Sequence, residues 1–171
     1  MSVIERAKQP VSVLAGPYGH PLHPALVPVP IGAWIASFIF DVASHVVHEP
    51  TFLAQGSRWL IGLGVLGALA AAAVGFLDLL AIPSRTRAFR TCIIHMSLNL
   101  AVTAVYGVGF AIRGGSPHGP VGFGPLALSG AALLALAVSG YLGGELAFRY
   151  GVRVVDEPTQ AEGFTTSAKE K

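Results

Sequence analysis

The sequence predicts an all-α membrane protein, a polytopic four-helix bundle with both termini cytoplasmic. Three observations carry that expectation. Of 171 residues, 53% are hydrophobic and only 12% charged, about half the charge that a soluble surface of this size requires. Four apolar stretches, at about 24–47, 58–82, 88–112 and 124–148, each reach the roughly 20 residues that a helix needs to cross about 30 Å of hydrocarbon. Lys and Arg, eleven in all, fall very unevenly on the two sides that those stretches define.

Each element has a local reason. Residues 1–19 read as a cytoplasmic N-terminal segment, without an apolar core and small-residue cleavage site that would mark a removable signal. The transmembrane domain is expected over 20–153. Its connections carry breakers: His48-Glu49-Pro50-Thr51, Ile82-Pro83-Ser84-Arg85, and the Gly114–Pro120 stretch. Open strands would leave backbone groups unsatisfied in lipid, so the apolar stretches are helices. Arg6, Lys8, Arg85, Arg87, Arg90, Arg149, Arg153, Lys169 and Lys171 fall on one side, and Arg58 and Arg113 on the other. By the positive-inside rule the first side is cytoplasmic, which gives an N-in, C-in topology. Residues 154–171, rich in Glu, Thr, Ser and Lys, are expected to be a disordered tail. Gly67, Ala71 and Gly75, and the Gly140–Gly144 pair, are small-residue seams for helix packing. A net charge of +2 is explained by the inner loops and requires no nucleic acid.

Chemistry is restricted to a few residues. His20-Pro21-Leu22-His23-Pro24 stands at the mouth of the first span. Pro21, Pro24, Pro28 and Pro30 are expected to interrupt its helical ladder and turn His23 inward. At about 1.5 Å per residue, Asp78, His95 and Glu145 fall in the same half of the bundle as those histidines. Each helix thus offers an ionisable group to one depth. Thr91, His95, Asn99, Thr103 and Tyr106 form a polar stripe that must face the interior. His95 lies deeper than the opening motif, so the opening segment must bend to meet it. On the other side, Asp41, His45 and His48 share a helix face at i, i+4, i+7, with Glu49 and His118 nearby. That spacing suits Zn or Cu, or equally a solvated helix end, with Asp41 buried in the bundle. The single Cys92 excludes an internal disulfide and any CxxC motif, and reads as a small buried hydrophobe. The absence of a C-x-x-C-H sequence excludes covalently attached c-type haem.

Together His20-Pro-Leu-His-Pro-Ala-Leu-Val-Pro-Val-Pro-Ile-Gly, Phe40-Asp41, Gly75-Phe-Leu-Asp78, the Ile82-Pro83 loop, His95 with Asn99, and Gly140-Tyr-Leu-Gly-Gly-Glu-Leu resemble one bacterial domain-of-unknown-function family. Its members are predicted four-helix membrane proteins, some fused to Rieske-type or c-type cytochrome domains. The resemblance spans about Pro17 to Val154 and implies a redox setting with a Rieske-type or cytochrome partner. Three functions follow as expectations. The first is a module holding a b-type haem or another transition metal, with His95 and His23 or His20 as ligands and Asp78 and Glu145 orienting them. The second is a structural or assembly subunit of a membrane complex. The third is ion or proton permeation, which would need a homo-oligomer because four spans leave little room for alternating access. No GxSxG elbow, HExxH helix or P-loop is present, so an autonomous hydrolase is not expected.

Overall fold

The structure is a computed structural model that describes residues 3–114 and 119–164. Short helix α1 (Val3–Lys8) and a 3₁₀ turn at Pro17–Gly19 precede α2 (Leu22–Leu26), α3 (Pro28–Ala43), α4 (Thr51–Ala81), α5 (Arg87–Ile112), α6 (Phe123–Gly144) and α7 (Glu157–Glu162). Four helical units are long and apolar enough to cross a membrane: Leu22–Ala43, Thr51–Ala81, Arg87–Ile112 and Phe123–Arg149. The described residues are helices and connections alone, as the composition predicts.

The prolines do less to the first span than expected. Val27 N–H reaches the His23 carbonyl at 3.2 Å, and Ile31 N–H reaches that of Val27 at 3.4 Å, so α2 and α3 join as one span. Pro28 occupies the first turn of α3, where a missing N–H costs little. Helix therefore begins at Leu22, and His23 sits on a helical turn rather than in an irregular segment. The second span also differs from expectation, starting seven residues earlier at Thr51 and running for 31 residues. Thr51 to Ser57 include no proline or charge that would stop it, and Pro50 forms its N-terminal boundary. A π-helical turn, Glu145–Arg149, ends the fourth span. The tail expected to be disordered carries α7, whose first turn is capped by the Asp156 side chain accepting from Thr159 N–H at 3.1 Å. Residues 165–171 of that expected tail lie outside the described residues.

Packing at mid-bundle centres on Trp34 and Tyr106, whose rings stack at 4.3 Å with planes 9° apart. Ile61, Val102 and Ala132 complete this cluster, so all four spans meet there. Trp34 Nε1–H donates to the Ile61 carbonyl at 3.4 Å, and Tyr106 O–H donates to the Ser129 carbonyl at 3.3 Å. Without a hydrophobic drive between helices in lipid, such close packing and hydrogen bonds hold the bundle. Gly64 faces the Trp34 indole, with which a β-carbon would collide. Gly64→Ala is expected to destabilise the protein by about 1–3 kcal/mol and to disturb the indole stack. Thermal unfolding in detergent with near-ultraviolet circular dichroism would detect both effects.

The small-residue seams resolve differently in the two helices. On α4, a β-carbon at Gly67 would meet Val29 Cγ1 at 2.9 Å and one at Gly75 would meet His23 Nδ1 at 2.8 Å. That seam receives the first span. On the fourth span, a β-carbon at Gly140 would meet nothing within 4 Å, whereas one at Gly143 would meet His95 Cε1 at 3.0 Å. The close approach is made by Gly143, not by the Gly140–Gly144 pair that the sequence pattern singles out.

The described segments before the first span and after the fourth lie at the same end of the bundle, linked by a hydrogen bond of 3.0 Å from Arg153 N–H to the Ala7 carbonyl. That terminal end is stapled by one arginine and the opposite, loop end by another. At the loop end, Arg113 reaches back from the end of α5 and holds both oxygens of Asp41 at 2.7 Å. Its guanidinium also donates to Ser57 Oγ and Ser129 Oγ, both at 3.1 Å, and Ser57 O–H donates to Asp41 Oδ1. One carboxylate and one guanidinium thereby tie all four spans together.

A cavity between two histidines and its terminal end

A cavity of about 190 Å³ opens in the terminal half of the bundle. Its walls run from Ala68 on α4 to Ile82 just past its end and from Cys92 to Thr103 on α5, about 15–20 Å along the helix axes. Most of the lining is apolar. Its polar exceptions include His23, Asp78, His95, Asn99 and Arg153, a pattern typical of ligand sites.

The two histidines are held in matching ways. His23 fits against Gly75, and its Nδ1 lies 2.8 Å from the Ala71 carbonyl. His95 fits against Gly143, and its Nδ1 lies 2.8 Å from the Ser139 carbonyl. A carbonyl oxygen can only accept, so each Nδ1 carries a proton, and in the neutral ring the lone pair is on Nε2. The rings stand perpendicular with centroids 6.4 Å apart. His95 Nε2 accepts from the Asn99 Nδ2–H at 3.1 Å, and Thr103 O–H continues the stripe by donating to the Asn99 carbonyl at 2.7 Å. The bend required for His23 and His95 to meet comes from side-chain reach across the Gly75 notch, without unwinding the helix.

One turn toward the terminal end, Arg153 Nε stands 3.0 Å from Asp78 Oδ1. Neither atom completes a directed hydrogen bond, so the contact is an ion pair with a misaligned N–H. The other guanidinium nitrogens of Arg153 donate to the Lys8 carbonyl at 3.4 Å and the Ala15 carbonyl at 3.2 Å. Arg153 adopts φ 61°, and Gly151 just before it φ 66°. These two left-handed residues turn the chain back so that the arginine enters the bundle.

Not every expected site residue arrives. His20 is exposed and stands apart from the cavity lining, because it precedes the helix that carries His23 inward. Glu145 also stands outside it: Arg149 donates to Glu145 Oε1 at 2.9 Å and Tyr150 O–H at 3.4 Å. The i, i+4 spacing favours that local pair over the bundle interior. The second cluster does not assemble either. Asp41 is fully buried and both its oxygens are engaged by Arg113, while His45 is exposed and stacks on Phe123 at 5.0 Å. His48 is exposed as well, and His118 lies outside the described residues. Among the described residues no group of three or more His, Cys, Asp or Glu is placed to hold a metal ion. Cys92 is buried against Leu79, Ile82 and Leu146, as expected of a small hydrophobe.

Sequence reading missed Arg153, Arg113, Ser139 and Gly143. Both arginines counted as loop charges: the left-handed turn at Gly151 and Arg153 brings Arg153 inward, and Arg113 reaches back from the end of α5. Gly143 carried a weak signal as the neighbour of a GxxxG pair.

A family profile described as "Predicted membrane protein (DUF2231)" matches residues 19–156. No curated protein matches the chain, and no solved structure does.

Proposed function

Since this chain belongs to the DUF2231 family of predicted membrane proteins, we propose that it is a redox-associated membrane module binding a b-type haem through His23 and His95. The observation that carries this reading is the matched pair of Nδ1–H···O=C bonds, each 2.8 Å. Histidines that ligate metals almost always donate their other ring nitrogen in this way, which fixes the tautomer and aims Nε2. The two rings lie in one cavity with centroids 6.4 Å apart, so His23 and His95 are the residues that would hold the group.

The donor count favours haem over a bare ion. Zinc in a structural site takes about four protein ligands, whereas a haem carries most of its iron's ligands itself and would need few from the protein. Two histidines supply that need. When bound, the group would supply one-electron transfer. The Ala71 and Ser139 carbonyls hold the imidazoles in orientation, and the apolar walls keep water from them. The Asn99 amide must leave His95 Nε2, and a cavity of about 190 Å³ must widen, because larger ligands occupy about 300–1,000 Å³. Protein grown with haem precursor is expected to show a Soret band and one iron per chain. Absence of both would overturn the reading.

The electron partner in this reading is a Rieske-type or cytochrome domain, which the sequence resemblance supports. The membrane is the bacterial plasma membrane with both termini cytoplasmic, which the charge asymmetry supports. Single cysteines placed at Ser12 and Ser84, in a Cys92→Ala background, are expected to react with an impermeant maleimide only after the cells are opened. Labelling in intact cells would reverse the topology.

A further inference from the structure

We propose that the connection between the second and third spans holds an anionic phospholipid, with its phosphate on Arg85, Arg87 and Arg90 and an acyl chain along the outer face of α5. These residues lie outside the cavity lining, and the site does not depend on haem. Ala81 ends α4 and Arg87 begins α5, so the three arginines stand where two spans leave the membrane. All three are exposed. The ion pairs among the described residues are Arg113–Asp41, Arg149–Glu145 and Arg153–Asp78. Three positive charges within the six residues from Arg85 to Arg90 thus have no counter-charge at ion-pair distance among the described residues.

Their position makes the cluster costly. Arg87 and Arg90 occupy the start of α5, which has no acidic residue in its first turn. The positive end of the helix dipole disfavours cations there, and like charges this close in sequence repel one another. An anion offsets both costs. The helix end itself is already capped, since Thr86 Oγ1 accepts from Phe89 N–H at 3.1 Å. The guanidinium groups are therefore what remains to be satisfied, and they match a phosphate with paired N–H donors. The end of the fourth span shows the contrast: Arg149 there has its own carboxylate one turn away.

The outer face of α5 selects a lipid over a soluble anion. Exposed residues continue from Arg87 and Arg90 at helical spacing through Ile94, Ala101 and Val108. Arg90 and Ile94 are four residues apart, about 6 Å along the axis. A phosphate on the arginines consequently has an apolar strip beneath it, running the way an acyl chain runs. A zwitterionic head group carries an ammonium that the cluster repels, so the preferred lipid is one whose head group is a net anion.

The test is native mass spectrometry of the detergent-solubilised full chain at low ionic strength. Phosphatidylglycerol and phosphatidylcholine with the same acyl chains are offered in equal amounts. One phosphatidylglycerol is expected to be retained, at least about tenfold in preference to phosphatidylcholine. Arg90→Gln is expected to lower that preference about fivefold. Arg85→Gln, Arg87→Gln and Arg90→Gln together, surface changes that a fold usually tolerates, are expected to erase it. Arg58→Gln, at the loop end, is expected to leave it within about twofold. Equal retention of the two lipids by the wild type would overturn the proposal, as would a preference that survives the triple change. Displacement of the lipid by an equal concentration of glycerophosphoglycerol would also overturn it, because the site would then take a soluble anion. If the triple variant keeps its lipid preference and loses an acidic protein instead, the arginines dock a protein and the proposal falls. The wild-type comparison decides even if a variant fails to fold, and a protein that shows no Soret band can still pass it.

Discussion

His95→Ala is expected to remove the Soret band and the bound iron from protein grown with haem precursor, and His23→Ala to do the same. Each change deletes one of the two histidines that would hold the group, and among the described residues the cavity wall offers no third, since His20 stands outside it. Asn99→Leu is the sharper discriminator. Asn99 Nδ2–H occupies the lone pair of His95 Nε2 at 3.1 Å, so a ligating His95 must lose that bond before iron can bind. Removing the amide therefore favours haem, by roughly fivefold in affinity if the bond is worth about 1 kcal/mol. A purely structural stripe predicts the opposite pattern: Asn99→Leu loosens the bundle and no spectrum changes. Haem titration of wild type and the three variants, read at the Soret maximum, separates the two. Bound haem at about a hundred times its dissociation constant would also raise stability by about 2.7 kcal/mol.

Removing one member of the loop-end ion pair is expected to have the largest effect on folding. Asp41→Ala leaves the Arg113 guanidinium, 8% exposed, with the hydroxyls of Ser57 and Ser129 and no counter-charge. Breaking a buried pair by removing one partner costs about 3–5 kcal/mol, which for this bundle should read as a large drop in the unfolding midpoint in mixed micelles. Asp41→Leu with Arg113→Met replaces both charges by apolar groups, and should recover most of that loss. If the single and double variants are equally unstable, the pair is not what holds the loop end. Neither change should alter cofactor binding, because the stacked Trp34 and Tyr106 separate this pair from the histidines.

The legible part of the site was the part written in helical spacing. His95, Asn99, Thr103 and Tyr106 recur every three to four residues in an apolar helix, and polar groups so placed must turn inward in lipid. Asp78 was legible for the same reason, since a charge there is costly unless a partner meets it. Glu145 shared the same depth but had Arg149 on the next turn, and a local partner drew it away from the cavity. His20 and His23 looked equivalent in sequence. The start of helix at Leu22 separates them, leaving one exposed and one inside the bundle.

The sequence by itself determined four apolar helices, their approximate lengths and the interior-facing stripe of α5, because hydrocarbon permits only that backbone and punishes unpaired polarity. It also determined membership in a membrane protein family. Tertiary structure alone decided which polar groups meet. Arg113 and Arg153 counted as loop charges, yet each folds back to a carboxylate from another span, at 2.7 Å and 3.0 Å. The glycine that matters on the fourth span is Gly143, chosen by where the His95 ring lands. Periodicity fixes which face of a helix turns inward. Helix rotation and chain reversals, which leave no periodic trace, fix what that face finds there.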